Sequence, residues 1–159
     1  MMKKDKVSSR RVGLEIGLSI GRFFLKTEDL HYGYWPNGEI ATVQNFAQAQ
    51  KNHSNLIMDH IPVGTKRILD VGSGSGNLAL RLINNGYEVE CVIPSEFLAA
   101  QVQTKLGDSN KIYICGFEDV SDFEIYDLIL FSESFQYVDL SNSIKKIVSM
   151  LNSGGHLII

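Results

Sequence analysis

The 159 residues amount to one domain, long enough to bury a core of its own. An apolar fraction of 44% and a charged fraction of 21% are ordinary for a soluble globular protein, and a net charge of −3 gives no basic field to draw in nucleic acid. Cys91 and Cys115 stand alone in apolar, strand-like segments without metal-ligand spacing, so they read as buried free thiols in a reducing compartment, and no metal is expected.

The charged start, Met1 to Lys6, precedes an apolar-rich stretch from Val12 to Leu25. It does not read as a signal peptide, because Glu15, Ser19 and Arg22 interrupt it and no small-residue cleavage site follows. It is also too short and too polar to span a bilayer, and the expected location is the cytoplasm. Ser8 or Ser9 can cap a helix running to about Lys26. Gly13, Gly17 and Gly21 then fall on one smooth face that another element can approach. The alternation of Val12, Leu14, Ile16, Leu18 and Ile20 fits a strand as well, and glycines weaken a helix.

Leu30 to Gly38 is a loop by its glycines and proline, and it is the most aromatic segment of the chain. Thr42 starts a helix spanning Val43 to about His60, ended by Pro62 and Gly64. Strands and helices alternate from Lys66 onward. Expected strands are Arg67–Val71, Tyr87–Ile93, Lys111–Cys115, Tyr126–Ser132 and Gly155–Ile159. Expected helices are Leu78–Asn85, closed by Gly86, Ser95–Leu106, closed by Gly107, and Asn142–Leu151, with Ser141 as its cap.

This alternation means a mainly parallel α/β sheet covered on both faces and doubly wound by right-handed crossovers. Ligands bind such sheets outside the carboxyl ends of the strands, where the winding reverses, and the first strand should end there. The last strand stops without a polar tail. An edge of that character invites pairing, so the sequence reads as a fragment of a longer chain.

The first strand runs into a glycine-rich turn, Arg67-Ile-Leu-Asp-Val-Gly-Ser-Gly-Ser-Gly76. Such a turn lets backbone approach a small molecule closely. A dinucleotide fingerprint needs Gly-x-Gly-x-x-Gly and an acid about twenty residues on. Here the third glycine comes one place early, and Asp70 would repel a pyrophosphate. S-adenosylmethionine (SAM) has no phosphate and carries an ammonium group that such an acid attracts.

Ile68 to Gly76 resembles the first motif of class I SAM-dependent methyltransferases. Tyr126-Asp-Leu-Ile-Leu-Phe-Ser132 resembles the fourth strand of that family. Leu151-Asn-Ser-Gly-Gly-His-Leu-Ile158 resembles its turn and fifth strand. The resemblance covers residues 66–159 and implies a Rossmann-like sheet of order 3-2-1-4-5. His31-Tyr-Gly-Tyr-Trp35 and Ser132-Glu-Ser-Phe-Gln-Tyr137 are similar to segments of the tocopherol, sarcosine and cyclopropane-fatty-acid methyltransferases, in which an N-terminal helical cap closes over SAM. The division implied is a cap over residues 1–62 and a SAM-binding domain over residues 63–159.

By that resemblance Asp70, Gly72 and Gly74 surround the methionine end of SAM, and Ser73, Gly76 and Ser132 are expected among the cofactor-binding residues. Tyr32, Tyr34 or Trp35 would cover the cofactor, or else pack the cap onto the core. An aromatic face suits a sulfonium because cations are drawn to ring quadrupoles. The second strand departs from the family. Ile93, followed by Pro94, stands where an acid normally holds the ribose, with Glu96 three residues on and Glu90 mid-strand. After the third strand, Gly116 or Phe117 offers a contact to adenine, and Glu118 or Asp119 can replace the usual Asp or be a solvated charge.

Methyl transfer is an in-line displacement that needs alignment and a dry site, and a base only where the acceptor must lose a proton. Glu133, just past the fourth strand, and His31, in the aromatic loop, are the catalytic candidates. Glu133 can alternatively anchor the cap or bind a cationic acceptor. His53 and His60 fall on the long helix as structural or solvent-facing residues. The leading reading is a methyltransferase for a small-molecule acceptor. The alternatives are a degenerate SAM-binding module without catalysis and a nicotinamide-dependent oxidoreductase. The missing basic patch argues against a nucleic-acid substrate.

Overall fold

The computed structural model describes residues 9–159. Ser8 and the charged start lie outside the described residues. Helix α1, Ser9–Ile20, runs on into a π-helical turn, Gly21–Leu25, and is followed by the aromatic loop and helix α2, Phe46–Asp59. Strand β1, Arg67–Val71, helix α3, Asn77–Asn84, strand β2, Glu88–Val92, helix α4, Glu96–Leu106, and strand β3, Ile112–Tyr113, come next. Strand β4, Tyr126–Leu130, helix α5, Leu140–Met150, and strand β5, Leu151–Ile158, complete the order.

The five strands form one parallel sheet in the order β3-β2-β1-β4-β5, as the sequence predicts, with helices on both faces and an N-terminal helical cap. Period-two alternation sorts the strand side chains into two cores. Ile68, Val89, Cys91 and Leu128 point to the face covered by α3 and α4, where Leu18 of α1 and Ile57 of α2 also bury. Leu69, Val71, Val92 and Ile129 point to the other face, against Phe117, Ile147 and Met150. Burial on both sides explains why these strands read as continuous apolar runs.

The winding starts at β1, moves outward through β2 to β3, and then returns to β4 on the other side of β1. The reversal therefore lies between β1 and β4, and the cap stands at its carboxyl end. Among the described residues no helix is long and apolar enough to cross a membrane. Cys91 is buried and its thiol is pushed up, first by burial and then by the neighbouring Asp70. Cys115 is half-buried, and both cysteines are free.

Several boundaries differ from the sequence expectation. Helix α2 begins later than Val43, because Asn45 Oδ1 accepts from Thr42 N–H at 2.9 Å and holds the first residues as a turn. The cap of α5 is Asp139, not Ser141, and it accepts from Asn142 N–H at 3.2 Å. Strand β5 starts at Leu151. Tyr126 pairs with Leu151 and Leu128 with His156, so Asn152 to Gly155 bulge opposite Asp127.

The glycine face of α1 is not closely approached. A Cβ at Gly13 or Gly17 would meet nothing within 4 Å, whereas at Gly21 it would lie 2.8 Å from Thr27 O. The close approach occurs instead at Gly33 in the aromatic loop, where a Cβ would lie 2.4 Å from Ala49 Cβ. Tyr34 N–H donates to Ala49 O at 2.8 Å and fixes the loop on α2 there. Urea denaturation should therefore separate the two positions. Gly33→Ala is expected to destabilise by about 1–3 kcal/mol through overpacking. Gly17→Ala is expected to stabilise by about 0.5–1 kcal/mol through helix propensity.

Candidate functional site

The site begins at the end of β1, at the winding reversal. Gly72, Gly74 and Gly76 take φ of +78°, +54° and +79°. Gly72 is required twice over, since a Cβ there would also lie 2.5 Å from Ser134 Cβ in the segment after β4. Gly74 has only Leu30 Cβ near it, at 4.0 Å, which leaves the turn open above. Gly72 N–H donates to Val92 O at 2.8 Å and Gly76 N–H to Ser73 O at 2.8 Å, so the turn is held from below and within. Gly76 opens α3, packed against Val102 of α4, and does not line the space above.

That space is a cavity of about 580 Å³, a size that suits a small molecule. Asp70, Gly72, Ser73 and Gly74 line its floor, and Ile93 and Pro94 one wall. Gly116, Phe117 and Glu118 line the side beyond β2, while Ser132 and Glu133 come from the end of β4. His31 and Tyr32 of the aromatic loop close the rim, together with Asp29. Tyr34 and Trp35 lie elsewhere. Trp35 packs on Phe46 at 5.9 Å and donates from Nε1 to Asn45 Oδ1 at 2.9 Å, holding the loop to α2.

The cavity is acidic. Asp29, Asp70, Glu118 and Glu133 line it, and no lysine or arginine does so among the described residues. Asp70 is 1% exposed, and its Oδ2 makes no hydrogen bond. Burial pushes its carboxyl up to about 7, with the Ser73 hydroxyl pulling weakly the other way. Ser132 Oγ is also buried and without a partner. Two polar groups of the cavity lining are thus left for a ligand to satisfy.

The neighbouring acids have other work. Glu118 Oε1 accepts from Asp139 N–H at 2.6 Å, which ties the third-strand segment to the start of α5. Phe117 is 2% exposed and meets Phe131 edge-on at 5.3 Å. Glu90 accepts from Tyr126 Oη at 2.6 Å and from Arg67 Nη2 at 3.1 Å, away from the cavity. Glu96 is exposed and does not line the cavity, although Ser95 does.

Glu133 has a left-handed backbone, φ +57°, which turns the chain back toward the cap. Its Oε2 accepts from Tyr32 N–H at 2.8 Å, and its Oε1 lies 3.7 Å from His53 Nε2. The His31 and His53 rings face each other at 4.6 Å. His53 is held below the usual imidazole range by burial and by His31, against the pull of Glu133 and Asp29. Gln50, 1% exposed, donates to Asp29 O at 3.1 Å and to His31 O at 2.5 Å, clamping the loop from α2.

Asp29, Gln50 and Ser134 are not among the expected site residues, and His53, expected as a structural or solvent-facing residue, stands beside Glu133. For α2 the signal is present. Gln50, His53, Ser54 and Ile57 follow the i, i+3, i+4, i+7 spacing of an inward helix face. His60, one turn further, is exposed and donates from Nδ1 to Leu56 O at 2.7 Å.

A model of the methyltransferase domain family matches residues 69–159. The chain is 28% identical over 122 residues to a malonyl-[acyl-carrier protein] O-methyltransferase of Anoxybacillus flavithermus, covering 74% of this chain and 47% of that protein. It is 30% identical over 112 residues to an uncharacterized methyltransferase of Staphylococcus carnosus, covering 68% of this chain and 53% of that one. The chain spans about half the length of the curated relatives it matches.

Among solved structures, the mycolic acid cyclopropane synthase CmaA1, complexed with SAH and CTAB, superposes with a TM-score of 0.69 at 18% identity. That match covers 97% of this chain and 57% of the synthase. The [4+2]-cyclase SpnF gives 0.66 at 22% identity, over 95% of this chain and 60% of its own. These likenesses show a shared fold. Since the family model matches more than half of its residues, the chain belongs to the methyltransferase domain family, built on the class I Rossmann-like fold.

Proposed function

We propose that this chain binds SAM in the cavity over the glycine turn and serves a methyl transfer to a small-molecule acceptor. The acidic cavity carries the reading, because a buried Asp70 with its Oδ2 unpartnered suits the ammonium of an amino-acid end and opposes a pyrophosphate. A glycopeptide N-methyltransferase solved with SAM has the same fold, which supports the choice of cofactor. Residues 63–159 are read as the cofactor domain and residues 1–62 as its cap.

When bound, SAM supplies a methyl group already activated by its sulfonium. Asp70, Ser73 and the open backbone at Gly72 and Gly74 would hold the methionine end. Ser132 offers a further polar contact, and Tyr32 a ring at the rim. Ile93 and Pro94 give an apolar wall where the family's ribose acid is replaced, and Ser95 is the polar residue of that segment lining the cavity. Gly116, Phe117 and Glu118 bound the adenine side.

Glu133 and His31 are assigned to the acceptor side of the cleft. Glu133 keeps the loop seated through Tyr32 N–H, and this excludes water and fixes the acceptor's approach. Its Oε1 is the oxygen left to receive a proton where the acceptor must lose one. A second reading, a cofactor-binding module without methyl transfer, is favoured by Ile93 at the ribose position and by a [4+2]-cyclase sharing the fold. Formation of S-adenosylhomocysteine (SAH) from SAM with acceptor present decides between the two.

SAH at 100 times its dissociation constant should add about 2.7 kcal/mol of stability, read as a rise in Tm. Asp70→Asn should weaken SAH at least about tenfold, a loss of about 1.4 kcal/mol. No rise with millimolar SAH, or a rise with a reduced nicotinamide dinucleotide instead, would contradict the reading.

Asp70 also sets a pH dependence. Its folded value of about 7 lies above the ordinary 3.8, so the folded state without ligand holds an extra proton between them. The contribution of Asp70 to stability is greatest below the ordinary value and falls as pH rises toward about 7. An ammonium ligand favours the ionised form. SAH affinity should therefore rise with pH up to about 7 and then level off, with proton release on binding below that point. Calorimetry in buffers of different ionisation enthalpy reads this release, and Asp70→Asn should abolish it.

A further inference from the structure

His31, His53 and Glu133 come from three separate elements: the aromatic loop, α2 and the end of β4. Each offers one ligand atom, and these atoms lie within 4.8 Å of one another. Two ring nitrogens, His31 Nε2 and His53 Nδ1, are buried without a hydrogen-bond partner. Buried polar atoms left in this state call for water or an ion. We infer that His31, His53 and Glu133 form a binding site for a divalent transition-metal ion of the zinc class, at the seam between cap and sheet.

The tautomer of His31 supports this. Its Nδ1 lies 2.5 Å from Tyr32 O, and a carbonyl can only accept, so Nδ1 carries the proton. In the neutral ring this leaves Nε2 as the nitrogen able to ligate, with the ring fixed by the kind of backbone hydrogen bond that orients metal-binding histidines. The carboxylate of Asp29 lies 4.0 Å from His31 Nε2 and adds negative charge beside the site.

Two imidazoles and one carboxylate suit zinc and its first-row neighbours, and three protein ligands leave a position open. Bond lengths of about 2.0–2.1 Å put ligand atoms roughly 3.4 Å apart in a tetrahedron, so side-chain shifts of about 1 Å would close the set. Glu133 lines both the main cavity and a second one, where His53, Phe135 and Ile158 stand, so the cluster borders open space on both sides. The ion would join the rim loop to the end of β4. With the ion bound, Glu133 would act as a ligand and not as a proton acceptor, and the acceptor would meet the ion's open position; only this placement rests on the methyl-transfer reading.

The test is titration of metal-stripped full chain with Co²⁺, followed by its visible absorption, and with Zn²⁺, followed by calorimetry and Tm. One ion per chain should bind saturably at micromolar metal and raise Tm. His53→Asn and Glu133→Gln should each weaken binding at least about tenfold. His60→Asn should leave it unchanged. Glu133→Gln keeps an acceptor for Tyr32 N–H, so it separates loss of a ligand from loss of the loop contact. Cooperatively melting wild-type protein that takes up no ion at millimolar metal would overturn the inference. Undiminished binding in both ligand variants would do the same, marking adventitious uptake elsewhere. No SAM or acceptor is present, so failure of the methyl-transfer reading would leave this result standing.

Discussion

A carboxylate is buried at the point where the sheet reverses its winding, and most of the site follows from it. Asp70 sits at the end of the central strand with parallel strands on both sides, so water cannot reach it from the sheet. Isolated burial of a charge is expensive, and the fold answers in two ways. The carboxyl is pushed up to about 7, where it can hold a proton, and its free oxygen is left without an internal partner. A cationic group brought into the cavity would satisfy both conditions together. The glycine turn is the matching backbone device, since it brings main chain beside the acid without side chains in the way.

The cap depends on the same geometry. Left-handed Glu133 turns the chain back at the end of β4 and reaches Tyr32, while Gln50 holds the loop carbonyls from α2. Gly72 makes room for Ser134, whose hydroxyl donates to Val71 O at 2.5 Å. The floor, the β4 segment and the rim loop are thus mutually positioned through short polar contacts, beside apolar packing such as that of Phe135 on Phe131. Such a seam is stiff when every contact is made and loosens when one is lost.

The parallel sheet covered on both faces and the glycine turn after β1 are legible because strong local signals carry them, whereas the strand order follows from the resemblance to class I methyltransferases. Apolar strands alternate with capped helices, and the Asp70 to Gly76 turn has a spacing that few ligands fit. Details that depend on long-range contacts were not legible. The close approach of Gly33 to Ala49, rather than of the α1 glycines to a neighbour, depends on how the loop lies over α2. Asp139 caps α5 while its own N–H is held by Glu118, a contact across 21 positions. His53 read as an ordinary helix residue, since nothing local announces that Glu133 and His31 face it.

The central claim is that Asp70 and the glycine turn receive the amino-acid end of SAM. A crystal structure of the protein with SAH tests it most directly. The account predicts ligand density in the cavity over Gly72 and Gly74, with the ammonium on the Asp70 side and the adenine toward Gly116 and Phe117. An empty cavity at saturating SAH, or a ligand whose ammonium points away from Asp70, would contradict it.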